Sequence, residues 1–116
     1  MTIQQTNTIT WDDFMRLELR SGTILSATIN EKAHKPAYIL QIDLGELGVR
    51  QSSAQITAHY TPEKLIGKQV LCVCNFAAKN IAGIHSEVLV TGAYDADGKV
   101  VLAGFDLPLP DGSRLA

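Results

Sequence analysis

The stretch from residue 75 to residue 90 carries the side chains best suited to contact a ligand. Its polar centre holds Lys79, Asn80, His85 and Ser86, all of which can donate hydrogen bonds at pH 7. Such donors suit phosphate and sugar oxygens better than they suit a cation. Apolar runs on both sides predict buried strands, and a loop that core strands hold at both ends is a rigid platform. The pattern predicts a binding loop, and an ordinary solvated hairpin loop is the alternative.

The sequence shows little that could carry out catalysis or hold a metal. It lacks the glycine-rich nucleotide motifs, the nucleophile elbow and the zinc-protease motif. His59 follows Ser52 and Ser53, but no acid is spaced to orient that histidine. Cys72 and Cys74 do not have zinc-finger spacing, so we interpret them as reduced core thiols. The sequence therefore predicts a binding protein that is not an enzyme and that uses no cofactor or metal.

Length and composition favour one globular domain over residues 1–116, with residues 1–9 flexible. The chain has 116 residues, of which 46% are hydrophobic and 19% charged. No run approaches the roughly 18 apolar residues that a membrane span needs, so we expect no membrane insertion. The first ten residues lack the basic and apolar regions of a secretory signal. A cytoplasmic protein is the expectation, and reduced thiols agree with it.

The distribution of charge partly offsets a net charge of −2, which by itself argues against a nucleic-acid binder. Residues 16–85 contain eight Lys and Arg against five Asp and Glu, whereas residues 86–116 contain two against five. The centre of the chain is therefore mildly cationic between acidic ends. An ordinary mixed surface is the alternative interpretation.

A short helix is predicted at residues 10–16. Thr10 and Asp13 have the spacing of a capping box, and Trp11, Phe14 and Met15 share one face. A helix of two turns is not stable alone, so its apolar face must pack against its own domain or a second subunit.

Five segments of the remaining sequence have strand patterns. In the first, residues 17–29, we expect Leu17, Leu19, Leu25, Ala27 and Ile29 to form the buried face, with a bend at Gly22. The others lie at residues 38–44, 49–53, 69–76 and 87–91. A short helix starts after Thr61 and Pro62, and a further strand lies at residues 99–103.

This order predicts an all-β, five-stranded OB-fold barrel. The N-terminal helix precedes the barrel, the short helix lies between strands 3 and 4, and extension strands follow at the C-terminus. OB folds bind oligonucleotides and oligosaccharides across strands 2 and 3 and the adjoining loops.

Several motifs together resemble the tRNA-binding domain family. They are residues 19–24 (LRSGTI), 51–57 (QSSAQIT), 75–76 (NF), 81–83 (IAG) and 86–90 (SEVLV). The resemblance extends over roughly residues 11–115. Within the family the chain is most similar to the CsaA branch of small bacterial export-associated chaperones. Two departures from the tRNA-binding pattern favour that branch: Asn80, Ile81 and Ala82 follow Lys79 where more basic residues are usual, and Val88 and Leu89 replace a small residue and a methionine.

The resemblance implies an OB barrel that forms a homodimer and presents its barrel face to a ligand. The first hypothesis is a chaperone that binds unfolded or precursor polypeptides, with Lys79, Ser53, Gln55 and Ser86 holding backbone groups. Its apolar groove would be formed by Tyr38, Ile39, Phe76 and Ile84, although each of these is also suited to a plain core position. The dimer interface would use Trp11, Phe14, Met15, Val100 and Leu102, unless these residues cover their own barrel.

The second hypothesis is a structure-specific tRNA-binding protein that uses the same groove. Phosphates would be contacted by Arg20, Lys35, Arg50, Lys79 and His85. Sugars or base edges would be contacted by Ser52, Ser53 and Ser86. Asn80 is a further predicted contact residue. A third possibility is an adaptor that uses the acidic tail and has no ligand in the groove.

Overall fold

The computed structural model describes residues 7–116, so the predicted flexibility of residues 1–9 falls mostly outside the described residues. The first helix, α1, spans Trp11–Met15, and both bonds of its capping box are present. The Thr10 amide donates to Asp13 Oδ2 at 3.0 Å, and the Asp13 amide donates to Thr10 Oγ1 at 3.2 Å. The predicted helix is therefore confirmed. Among the described residues, no helix is long and apolar enough to cross a membrane.

The centre of the fold is a five-stranded antiparallel sheet that curls into a nearly closed barrel. Its strands are β1 (Leu19–Ile29), β2 (Tyr38–Asp43), β3 (Val49–Ala54), β4 (Gln69–Val73) and, after the hairpin described below, β7 (Leu89–Val90). They lie in the order β3-β2-β1-β4-β7. The second helix, α2 (Pro62–Leu65), connects β3 to β4, and Thr61 caps it. The predicted OB-like fold, including both short helices, is confirmed.

The barrel closes along a seam between β3 and residues 86–88. The Glu87 amide donates to the Gln51 carbonyl at 2.8 Å, and the Gln51 amide donates to the Glu87 carboxylate at 3.2 Å. Ser52 Oγ donates to the Val88 carbonyl at 2.8 Å. Side-chain hydrogen bonds therefore supplement the backbone hydrogen bond between β3 and residues 86–88, and together they close the barrel.

Strand β2 supplies much of the core through a clean alternation. Tyr38, Leu40, Ile42 and Leu44 are all buried, as the period of two predicts. They pack with Ile24, Leu65, Val70 and Cys72 inside the barrel. The intervening residues Ile39 and Gln41 face outward, opposite Ser53 and Gln51 of β3.

The predicted buried face of β1 is mostly wrong, since Ala27 alone of its five residues is buried. Leu17, Leu25 and Ile29 are exposed, whereas Gly22, Ile24 and Ala27 are buried. The reason is a β-bulge between Ile24 and Ser26, where the pairing with β2 shifts register. The bulge lies at Leu25 and not at Gly22. Gly22 instead permits close packing, because a Cβ there would lie 2.6 Å from Ile42 Cγ2.

Two small hairpins extend from the barrel. The first pairs β5 (Lys79–Ile81) with β6 (Ile84–Ser86), within the segment for which the sequence predicted a loop. The second pairs β8 (Gly92–Tyr94) with β9 (Val100–Leu102) and forms the predicted C-terminal extension. Strand β4 ends at Val73, before the predicted boundary at residue 76. Residues 74–76 therefore belong to the connection that leads into β5.

Residues 109–115, which we call the C-terminal strap, lie along the N-terminal half of β1. The Ser21 amide donates to the Ser113 carbonyl at 2.9 Å, and the Gly112 amide donates to the Ser21 carbonyl at 2.8 Å. The Leu115 amide donates to the Leu19 carbonyl at 2.9 Å. The strap therefore continues the sheet at an edge of β1 where β2 has ended.

Candidate binding groove

An apolar depression of about 570 Å³ lies beside the barrel seam, and we call it the groove. Apolar side chains form most of its surface, with polar and charged side chains among them. The groove is lined by Phe76, Ala77, Ile81, Val88, Leu89, Ser53, Lys79, Ser86 and Glu87. Phe76 and Leu89 are 56% and 49% exposed, so both present apolar surface to the groove. The arrangement offers a large apolar contact surface to a ligand.

The seam fixes the polar side of the groove. The Ser53 amide donates to Ser86 Oγ at 3.1 Å, which joins β3 to β6. Glu87 is held by the Gln51 amide, and its second carboxylate oxygen lies 3.8 Å from Arg50 Nε. Ser86 and Glu87 are therefore positioned by the same contacts that close the barrel.

The Asn75 side chain fixes the start of the groove wall. Its Nδ2 donates to the Arg16 carbonyl at 2.7 Å, and its Oδ1 accepts from the Glu18 amide at 2.9 Å. Asn75 thereby ties the segment that carries Phe76 to the end of α1.

A basic depression adjoins the groove and shares Ser53 and Ile81 with it. Its other lining residues are Lys32, Ala33, His34, Lys35, Ala37, Gln55 and Ala82. A third depression shares Ser53 and Leu89 with the groove and extends to the β8–β9 hairpin. Ser53 thus lies where three depressions meet, and predicted residues Lys35 and Gln55 lie close to it.

The turn of the first hairpin is held against the loop that follows β1. Asn30 is buried, and its Nδ2 lies 3.5 Å from the Ala82 carbonyl. Ala82 and Gly83 both have positive φ angles, 48° and 82°. A Cβ on Gly83 would lie 3.3 Å from Lys32 Cδ, so the Lys32 side chain passes directly over the turn.

The structure buries two of the predicted contact residues. Tyr38 is 6% exposed, and its hydroxyl donates to the Tyr60 carbonyl at 2.7 Å. Ser52 is 1% exposed, and its hydroxyl is used in the seam. Tyr38 and Ser52 are therefore barrel residues and do not line the groove. Ile39 and Ile84 are half-buried and do not line the groove, whereas Asn80 and His85 are exposed on the β5–β6 hairpin.

Two predicted phosphate contacts already have acidic partners. Arg20 Nη2 lies 2.8 Å from Glu18 Oε1, and Arg20 Nη1 lies 3.0 Å from Glu46 Oε1. These hydrogen bonds raise the pKa of Arg20, because they stabilise its charged form. Arg50 faces Glu87. By contrast, the ion pairs of the described residues include none of Lys32, Lys35 and Lys79.

The predicted interface residues differ in exposure. Trp11 is 63% exposed, and its ring centroid lies 5.3 Å from that of Phe14. Phe14 and Met15 are half-buried, and Val100 and Leu102 pack against the core. The most exposed apolar side chains of the second hairpin are instead Tyr94 and Val101.

The two cysteines are core residues in the structure. Both are free and buried, and burial raises the pKa of Cys72 to about 12. Within residues 7–116, no group of three His, Cys, Asp or Glu side chains has the arrangement of a metal site.

The sequence did not identify Lys32 as a residue of the basic depression, and it did not identify as groove residues Ala77, Ile81, Glu87, Val88 and Leu89. Lys32 is close to the groove only because Asn30 joins two loops that are distant in sequence. Leu89 lies within the motif of residues 86–90 (SEVLV), and its alternation with buried Val88 is the only sequence signal that it faces outward.

Comparison with known proteins assigns the chain to a family. A family model described as "Putative tRNA binding domain" matches residues 19–114. The methionine–tRNA ligase of Methanococcoides burtonii is 42% identical over 94 residues, which cover 81% of this chain and 14% of the ligase. That of Bacillus subtilis is 38% identical over 107 residues, which cover 92% of this chain and 16% of the ligase. The chain therefore spans about one seventh of the length of these ligases.

Solved structures match over nearly the whole chain. The chaperone CsaA of Bacillus anthracis is 46% identical, with a TM-score of 0.88, and the match covers 95% of this chain and 100% of that one. The CsaA chaperone of Picrophilus torridus is 43% identical, with a TM-score of 0.86, and the match covers 94% and 100%. A methionyl-tRNA-synthetase-related protein of Pyrococcus horikoshii is 26% identical, with a TM-score of 0.85 and coverage of 96% and 100%.

Proposed function

The chain is a CsaA-type member of the tRNA-binding domain family, and from this we propose that it is a non-enzymatic cytoplasmic chaperone that binds unfolded or precursor polypeptides for export. The observation that carries the proposal is the groove itself. Phe76 and Leu89 expose large apolar surfaces beside the seam, and exposed apolar surface is what distinguishes an unfolded polypeptide from a folded one. Lys79, Ser53, Gln55 and Ser86 lie in or beside the groove, where they can hold polar groups of the same polypeptide.

The proposal is tested by fluorescence anisotropy with labelled, reduced and carboxymethylated α-lactalbumin as an unfolded probe. We expect Phe76→Ala to weaken binding by about tenfold, because truncating an aromatic contact typically costs about 1–2 kcal/mol or more. Leu107→Ala is the matched control, since Leu107 is 71% exposed but lies in a different depression. Equal affinity of wild type and Phe76→Ala would show that the groove is not the binding surface.

A second candidate function, tRNA binding, is favoured by the basic depression. Lys32 and Lys35 lie there, next to Lys79 at the groove, and no carboxylate within the described ion pairs neutralises them. Arg20 and Arg50 would contribute less, because acidic partners already hold them. This arrangement can accept a few phosphates, with His85 and Ser86 nearby.

Salt dependence separates the two functions. In a plot of log affinity against log salt concentration, each neutralised phosphate contributes a slope of roughly −0.7 to −0.9. Apolar contacts, by contrast, weaken little or strengthen as the salt concentration rises. With bulk tRNA as probe, we expect Lys79→Ala to weaken binding and reduce the slope by about one phosphate. Lys64→Ala is the control, because Lys64 is exposed on α2, outside the groove. Absence of binding by both probes would favour an adaptor that uses another surface.

We further propose that two copies form a homodimer through α1 and the β8–β9 hairpin. Trp11, Tyr94 and Val101 are exposed apolar residues on these elements, and a twofold dimer would cover them. Light scattering coupled to gel filtration should give twice the mass of one chain. Val101→Glu should give a monomer, whereas Val49→Glu, a similarly exposed valine on β3, should stay dimeric. A monomeric wild type would contradict the proposal.

A further inference from the structure

Among the residues that the structure describes, strand β5 has one edge without a neighbouring strand. It pairs with β6 through Lys79–Ser86, Asn80–His85 and Ile81–Ile84, around a turn of two residues. In such a hairpin the pair next to the turn is hydrogen-bonded, so the Asn80–His85 pair is the non-bonded one. The N–H and C=O of Asn80 therefore point away from β6.

The opposite strand supports this assignment. The His85 carbonyl should by the same rule point away from β5, and it accepts a bond from Gln51 Nε2 of β3 at 3.2 Å. Within residues 7–116, no hydrogen bond to the outward backbone groups of Asn80 is present. An edge with free N–H and C=O groups can accept a further strand.

The free edge borders the groove. The side chains of Lys79 and Ile81 line the groove, so they project from one face of β5, while that of Asn80 projects from the other. A strand added beside β5 would therefore turn every second side chain to the same face as Lys79 and Ile81, which is the face that lines the groove.

We propose that a client polypeptide binds in extended conformation as a third strand on β5, with its backbone bonded to Asn80 and alternate apolar side chains over the groove. The inference rests on the proposed polypeptide-binding function and specifies how that function is performed. Backbone pairing supplies contacts that any sequence can make. A chaperone with many unrelated clients needs contacts of this kind.

Charge defines the preferred ends of the bound segment. Lys79 begins β5, and Lys32 passes over the turn that ends it, at Gly83. These cations lie at the two ends of the three-residue strand, and their flexible side chains can reach acidic residues that extend past β5 on either side. The complementary segment is therefore a short apolar strand with acidic residues at its ends.

The test uses the fluorescein-labelled peptide acetyl-DTLTVTD-amide and three copies with a single N-methylated amide at the leucine, the central threonine or the valine. Pairing with β5 predicts an alternating pattern. N-methylation of the residue that faces Asn80 should weaken binding about tenfold, because one backbone bond is lost and the strands are forced apart. N-methylation of its neighbours, whose amides point to solvent, should change affinity less than about twofold.

Two further experiments vary residue 80 of the protein and the charge at the ends of the peptide. Asn80→Pro removes one outward donor and should weaken peptide binding about tenfold. Asn80→Ala keeps the donor and removes only the side chain, so its loss of affinity should be several-fold smaller than that of Asn80→Pro. The peptide acetyl-KTLTVTK-amide should bind at least several-fold more weakly than the acidic one. Equal or tighter binding of the lysine peptide would overturn the charge preference.

The outcomes separate this inference from the proposed function. A peptide that binds with no alternation in the N-methyl series would overturn strand pairing, while the polypeptide-binding function would stand. Strand pairing would also be overturned, and the polypeptide-binding function would stand, if the peptide fails to bind but unfolded α-lactalbumin binds in a Phe76-dependent way. Failure of both probes would overturn the proposed function itself. If Asn80→Pro does not fold, the N-methyl series decides alone.

Discussion

Arg20 and Lys79 are both cations, but the structure gives them different roles. Arg20 is held by Glu18, Glu46 and the Gly112 carbonyl, so it joins three segments of the chain. Lys79 is exposed at the groove. Residue type alone made both candidates for ligand contact. Only the partners of each side chain show that Lys79 is available and that Arg20 is already engaged.

Asp95 is a second residue whose role depends on its contacts, and these contacts depend on pH. Its Oδ1 accepts from the amides of Lys99 and Asp97, both at 2.9 Å, and its Oδ2 lies 2.6 Å from His59 Nε2. The bond from the Lys99 amide, and then that from His59, lower the pKa of Asp95 below its ordinary value of 3.8. The contact therefore stabilises the fold above that value, and the stabilisation is lost as the pH falls through the lowered pKa.

We expect Asp95→Asn to lower the thermal unfolding midpoint at pH 6, where the wild-type carboxylate is charged. The difference from wild type should shrink as the pH falls below about 3.8, because the wild-type carboxyl becomes neutral as well. Midpoints measured by circular dichroism between pH 3 and pH 7 test this. Asp106→Asn, at an exposed site, should show no such dependence. A pH-independent difference would mean that the charge of Asp95 is not what stabilises the hairpin.

At the scale of elements, the sequence predicted strands well where the alternation was unbroken. Residues 38–44 follow the period of two, and their buried face is the predicted one. In β1, one extra residue at the bulge reverses the alternation, so the buried residues are Gly22 and Ile24 before the bulge and Ala27 after it. The predicted odd-numbered face therefore fails before the bulge. The bulge depends on pairing with β2, which no local pattern in β1 shows.

The β5–β6 hairpin was missed for a different reason. Its two-residue turn needs positive φ angles at both positions, and asparagine or glycine usually signals this. Here the first position is Ala82, whose φ of 48° is uncommon for alanine. The donors of the binding loop were therefore found from sequence, but the strand edge beside them was not. Lys32 was missed because contacts between distant loops place it.

At the scale of the whole molecule, the C-terminal strap completes the sheet. Gly112 has a φ of 83°, and a Cβ there would lie 2.4 Å from the Leu44 carbonyl oxygen. Gly112→Ala should therefore destabilise the fold by roughly 2–5 kcal/mol, from the left-handed backbone and from the clash together. Urea denaturation measures the loss.

Gly98→Ala separates these two costs. Gly98 has a similar φ of 76°, but apart from its chain neighbours no atom of the described residues lies within 4 Å of its Cβ position. It should lose only about 1–2 kcal/mol, from the backbone conformation. Equal losses for the two variants would show that the strap can move away from Leu44 at no cost.

The strap also has a consequence for how the chain folds as it is made. The bond between the Ser21 amide and the Ser113 carbonyl joins residues about ninety positions apart. During translation, β1 leaves the ribosome about ninety residues before the strap, and the edge of residues 19–22 stays without its strap partner until residues 110–115 have followed. Contacts so distant in sequence form late, and an open strand edge can meanwhile pair with other nascent chains. A protein proposed to bind unfolded polypeptides is thus itself open to unwanted pairing while the residues between β1 and the strap are made.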